Sequence, residues 1–181
     1  MTKSSAIDTF GYALHLAQIG KKHPQAKPLQ GFGSAGVLEV VEDWHSNTYR
    51  AVYTVRFAAT ANRQGAMTMG KRSQGGLEVE VGSGNVYADL GYPDADEMLI
   101  KAQFVSKIAD ILKRKGLNQT QAAALLGLTQ PKLSNLLSGQ FRGFSERRLM
   151  DCLTRLGRDV QIVVTTAPRS RAGGKLSVVF A

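Results

Sequence analysis

The sequence predicts an α+β chain: a partial α+β unit of one helix and a β-hairpin, then an all-α bundle of four or five helices that closes on a second β-hairpin. Three observations carry that reading. Residues 49–57 alternate apolar and polar with period two, the mark of a half-buried strand. From residue 98 to residue 156 apolar side chains recur at steps of three and four, the mark of packed helices. Between these textures ATANRQGAMTMGKRSQGGLEVEVGSG, residues 59–84, keeps neither period and is rich in Gly, Ser and small residues. The organisation that follows is 1–58 for the first unit, 59–84 for a junction, 85–158 for the bundle and 159–181 for the closing hairpin.

In the first unit, IDTFGYALHLAQIG places Ile7, Phe10, Leu14 and Ala17 along one side of a short helix that ends near Gly20. The runs VLEVVEDW and TYRAVYTVRF, separated by HSN, read as a hairpin in which Tyr49, Ala51, Tyr53, Val55 and Phe57 share one face. A single hairpin is marginal in water, so this unit needs further strands or another layer to lean on.

The bundle begins after Pro93-Asp94, with Met98, Ala102, Val105, Ala109 and Leu112 on one face. Asp94, Asp96 and Glu97 lie near the positive end of its dipole and Lys113, Arg114 and Lys115 near the negative end, and Gly116 stops it. Asn118 and Gln121 have capping-box spacing for a second helix that runs to Gly127. Thr129 caps a third, with Pro131 in its first turn, where a missing N–H costs little. A fourth starts at Ser145 and lays Leu149, Cys152, Leu153 and Leu156 on one face before Gly157. VQIVV and KLSVVF, joined by TTAPRSRAGG, read as the closing hairpin, whose edge either pairs with the same strand of a second subunit or folds back on the chain's own helices.

Composition narrows the function. A formal charge of +9 and a pI near 9.9 favour polyanionic partners. There is no apolar run of membrane-spanning length and no leader-like start, so the expectation is a cytoplasmic chain without a membrane partner. Cys152 falls among leucines as a buried thiol, and His15, His23 and His45 lack ligand-like spacing, so neither a metal nor a cofactor is expected, and no enzyme chemistry.

The stretch LLGLTQPKLSNLLSG is more informative. Ala123 is small enough for two helices to cross closely, and Gly127 tolerates the positive φ of a tight turn. Ala122, Leu126, Leu128, Leu133 and Leu136 then point inward, leaving Gln130, Pro131, Lys132, Ser134 and Asn135 outward. Amides match the paired acceptor and donor of adenine in the major groove. A merely solvated face would carry Glu as well as Lys, yet Asp110 is the one acid between Glu97 and Glu146, and residues 97–158 hold eleven Lys and Arg against four acids. That pattern points to double-stranded DNA.

GSGNVYADLGYPDADEMLIKAQ, followed by residues 117–164, resembles the XRE, or lambda-repressor-like, helix-turn-helix family, and within it the antitoxins of HigA type. The resemblance implies a regulator that represses its own toxin-antitoxin operon at an operator, binds a RelE-superfamily toxin and works as a homodimer. Matched by position, it places DNA contacts at Gln119, Thr129, Gln130, Lys132, Ser134, Asn135 and Arg142. Pro131 stands where relatives often place a polar base contact, which leaves the operator sequence open.

KPLQGFGSAGVLEVVEDWHSNTYRAVYTVRFA resembles the interior of a HigB-type toxin of the RelE superfamily, truncated before the basic strand that cleaves RNA. The alternative function is therefore a toxin-antitoxin fusion that keeps ribosome-dependent mRNA cleavage. Lys27, Arg50 and Arg56 are the basic groups available for it, although bases on a solvated strand are more often decoration. A toxin gene joined to its neighbouring antitoxin, with Met67 or Met69 near the old start, would produce such a chain.

Overall fold

The computed structural model describes residues 3–31, 36–44, 47–55, 72–74, 77–79 and 82–181. They form two compact units: Met1–Ala95 with Ser138–Gln140, and Asp96–Leu137 with Phe141–Ala181. Arg56, Phe57, Met67, Met69 and His45 lie outside the described residues.

The first unit opens with α1 (Lys3–Gln18), which ends on Gly20 at φ 73°, where Lys21 N–H reaches back to the Leu16 carbonyl at 2.7 Å. A three-stranded antiparallel sheet follows in the order β1 (Lys27–Pro28), β2 (Val37–Trp44), β3 (Asn47–Thr54). The expected hairpin is β2–β3, in a register that pairs Val37 with Thr54 and Trp44 with Asn47. The further strand it needed is β1, too short to show any period, with Lys27 opposite Glu39. Ala13, Ala26, Val40 and Tyr53 form the core here, with Phe10, Leu14 and Ala17 packed against it.

Helix α1 differs from its predicted single stripe. Ile7 is exposed, while Tyr12, Leu16 and even the polar Asp8, Thr9 and His15 are buried. The reason is that α1 is covered on more than one side. The sheet takes Phe10, Ala13, Leu14 and Ala17. The short α2 (Val86–Asp89) also packs on α1, and a Cβ at Gly11 would lie 2.7 Å from the Tyr87 ring. Residues 138–140 close another side: the His23 ring nitrogen Nε2 lies 3.2 Å from the Ser138 carbonyl, and a Cβ at Gly139 (φ 97°) would meet the Tyr12 Cβ. In the junction, β4 (Arg72–Gln74) pairs with β5 (Leu77–Val79), a short hairpin that composition did not announce.

The second unit is the predicted helical bundle. Helix α3 (Ala95–Lys115) buries Met98, Ala102, Val105 and Leu112 as expected, and also Phe104, Ile108 and Ile111. Three short helices follow: α4 (Gln119–Leu126), α5 (Gln130–Leu137) and α6 (Glu146–Arg155). Ser145 caps α6 by accepting the Arg148 N–H, and Leu149, Cys152, Leu153 and Leu156 are all buried. Burial pushes the Cys152 thiol pKa up, which leaves it a poor nucleophile.

The closing β-hairpin is a correction. Residues 159–181 form no strand; among the described residues the two apolar segments make no ladder hydrogen bonds, and Ile162, Val164 and Val179 are 78%, 91% and 89% exposed. Alternation predicts a strand-like run, but a ladder needs a partner at the right spacing, and two short strands with a ten-residue connection do not provide a stable one alone. Val160 and Val178 are half-buried, and Phe180 lies edge-on to Phe104 at 6.3 Å between centroids with the Lys107 ammonium 4.9 Å over its ring.

Candidate nucleic-acid interface

The site is built on the α4–turn–α5 hairpin, and its local signals account for most of its shape. The Asn118 side chain accepts the Gln121 N–H at 2.9 Å while Gln121 Oε1 accepts the Asn118 N–H at 3.1 Å, a complete capping box. At the other end Gly127 takes φ 65° and ψ 39°. Leu128 N–H reaches the Ala123 carbonyl at 2.9 Å and Gly127 N–H the Ala124 carbonyl at 3.1 Å, so the helix closes as a Schellman turn. Ala123 is 3% exposed where α4 packs on α5 and α6. Ala122, Leu126, Leu133 and Leu136 are buried with it, and Leu128 is half-buried.

With that face inward, the opposite face of α5 is open. Gln130, Pro131, Lys132 and Asn135 are exposed and Ser134 is half-buried. Thr129 is exposed, but its hydroxyl accepts the Lys132 N–H at 3.4 Å and so serves first as the cap of α5. Gln119, at the start of α4, is exposed, and its Oε1 accepts a hydrogen bond from Gln130 Nε2 at 2.6 Å. The structure thus brings Gln119 and Gln130 together at the mouth of the turn, with Lys132 and Asn135 further along the same helix. Arg142 is exposed in the loop between α5 and α6.

Two features of the site have no sequence signature. Arg148 Nη2 donates to the Gly127 carbonyl at 2.7 Å, and the Arg155 guanidinium stands where a Cβ on Gly127 would fall, 2.7 Å from Nη1. Both cations from α6 therefore sit on the turn that aims α5, beside the negative C-terminal end of α4. Spacing seven residues apart on α6 could have hinted at a shared face, but not at its target.

A protein-family model described as a helix-turn-helix domain matches residues 86–165. A solved structure assigned to the XRE family of transcriptional regulators is 44% identical over 49% of this chain and 100% of its own, with a TM-score of 0.47. The helical half of the chain belongs to the XRE family. The identity covers the whole of that relative, so the assignment holds for the helical half. A second model, of the phage-derived protein Gp49-like family, matches residues 3–62. No curated protein gives a match.

XRE-family helix-turn-helix domains are DNA-binding regulators and not catalysts, in keeping with the basic, amide-bearing α5. No described helix is long and apolar enough to cross a membrane. Of the basic residues considered for RNA cleavage, Lys27 is exposed on β1 opposite Glu39, and Arg50 pairs with the same Glu39 at 3.3 Å, so a carboxylate stands beside both.

Proposed function

We propose that the protein is a sequence-specific transcriptional repressor of antitoxin type that binds an operator upstream of its own gene as a homodimer and pairs with a RelE-superfamily toxin. The observation that carries the DNA-binding part is the outward face of α5. Gln130, Lys132 and Asn135 are all exposed, with Gln119 docked on Gln130, over a buried seam that fixes the helix from behind.

In this reading α5 enters the major groove. Gln130 and Asn135 read base edges, Gln119 buttresses Gln130 and reaches the backbone, and Lys132, Ser134, Thr129 and Arg142 contact base edges or phosphates around them. An eight-residue helix covers few base pairs, so two copies on half-sites about 34 Å apart supply the specificity one lacks. The segments 160–164 and 176–180, exposed except at the half-buried Val160 and Val178, are the dimerisation element. The run Val160-Gln161-Ile162-Val163-Val164 carries no charge or proline to protect its edge, so a second copy can pair with it without repulsion.

The toxin-pairing part rests on the resemblance of residues 82–164 to HigA-type antitoxins, and of residues 27–58 to a truncated HigB-type toxin. Retained mRNA cleavage is the alternative reading, weakened by the Arg50–Glu39 pair.

Fluorescence anisotropy of the full chain with the duplex upstream of its gene, against a shuffled duplex of equal length, tests the reading. Preference for the upstream duplex by tenfold or more is expected, and equal affinity for both would refute it. Primer extension on total mRNA after induction of the full chain tests the alternative, and new cleavage ends would favour it.

A further inference from the structure

Lys101, in the second turn of α3, is 4% exposed, an unusual place for a lysine. Its ammonium pairs with Glu97 one turn earlier and donates to the backbone carbonyl of Arg142, 41 residues away, at 3.4 Å. Glu97 is half in solvent, so the ion pair by itself gives no reason for burying the lysine. Taking an ammonium out of water is costly, and Met would fill the same space without that cost. What a cation does here that a hydrophobe cannot is hold the Arg142 carbonyl.

That carbonyl lies in the loop between α5 and α6. On one side of it Phe141 is fully buried, and the Phe144 N–H closes a turn on the Phe141 carbonyl at 2.9 Å. Arg142 is therefore tethered through its backbone at two adjacent points while its side chain is exposed. An arginine whose main chain is fixed loses less freedom on meeting a phosphate than one on a loose loop.

We propose that Lys101 is a positioning residue for phosphate binding: through the Arg142 carbonyl it orients the Arg142 guanidinium toward the backbone of a bound duplex. The proposal rests on the DNA-binding reading above. Lys101 itself touches no DNA.

The test is the salt dependence of affinity for the upstream duplex, measured on full-length protein. Each lost phosphate contact lowers the slope of log K against log salt by about 0.9. Arg142→Gln should lower the slope by that amount, Lys101→Met should lower it equally, and the double variant should show no further drop. Lys101→Arg, which keeps a cation in reach of the carbonyl, should restore the wild-type slope.

The proposal is overturned if Lys101→Met weakens binding evenly at all salt concentrations with the slope unchanged, as a purely structural role would. Additive slope losses in the double variant, or no change in Arg142→Gln, overturn it as well. If Lys101→Met does not fold by circular dichroism, Lys101→Gln, whose amide ends short of the carbonyl, is judged by the same criteria. A wild-type chain with no affinity for any duplex would sink the DNA-binding reading along with it, an outcome separate from a failure of Lys101 alone.

Discussion

Gln130 Nε2 donates to Gln119 Oε1 at 2.6 Å, so the first turns of α4 and α5 present two amides as one hydrogen-bonded unit. The bond orients the Gln130 amide before any ligand arrives and leaves fewer rotamers to freeze on binding. Gln130→Ala and Gln119→Ala should each weaken operator binding, and the double variant should lose less than the sum, with a coupling of at least about 0.5 kcal/mol. Strict additivity in anisotropy titrations would mean that the two amides act independently.

Asn135 lies further along the same face and is exposed. Asn135→Ala should cut the preference for operator over shuffled duplex by about 1–3 kcal/mol while leaving affinity for the shuffled duplex nearly unchanged. Equal losses on both duplexes would assign Asn135 to backbone contact instead.

Gly127 is where the turn is most sensitive to a side chain. At φ 65° an L-residue is strained, and its Cβ would also displace the Arg155 guanidinium. Gly127→Ala should therefore cost about 1–2 kcal/mol in urea denaturation, mostly from the backbone, since the arginine tip can move. Gly127→Asn should cost less, because Asn visits the left-handed region more readily. If both variants are as stable as the parent, the turn does not need this conformation.

Burial depresses the pKa of His15 and His23 to about 4, with Lys21 adding to the effect at His15 and the Ser138 carbonyl opposing it at His23. In the unfolded chain both titrate near 6.5, so on acidification the unfolded state takes up protons first. The stability these neutral rings confer is complete above about pH 6.5 and is lost as pH falls from there through about 4. Glu42 works the other way: burial raises its carboxyl pKa, so its protonation favours the fold on acidification. The urea midpoint of the first unit should fall between pH 6.5 and 4, and His15→Gln or His23→Gln should flatten that fall. A pH-independent midpoint over this range would contradict the burial of both rings.

For the proposed dimer, removal of residues 159–181 should leave a monomer in light scattering and weaken operator binding, because the exposed Ile162, Val163 and Val164 pair with no strand among the described residues. A truncated chain that remains dimeric would move the dimer contact elsewhere.

Much of the α4–turn–α5 motif was legible in the residues themselves. The capping box at Asn118 and Gln121, the cap at Thr129, the left-handed Gly127 and the inward set from Ala122 to Leu136 all depend on groups within a few positions of one another, and backbone geometry brings such groups together in any helix. The outward face of α5 followed by subtraction. Helix α1 was legible in position but not in its buried faces, because what covers a helix on its second and third sides comes from elsewhere in the chain.

By itself, then, the sequence determined where helices start and stop, which side of α5 is polar, and that the helical half is rich in cations. Tertiary structure alone decided the pairings across distance: Gln119 with Gln130 over 11 residues, Arg148 with Gly127 over 21, and Lys101 with Arg142 over 41. It also decided that the strand-like segments 160–164 and 176–180 form no ladder among the described residues. The physical reason is that periodicity reports how a segment can present its side chains, whereas a long-range hydrogen bond or a strand ladder exists only where packing of the whole unit brings a donor within about 3 Å of an acceptor.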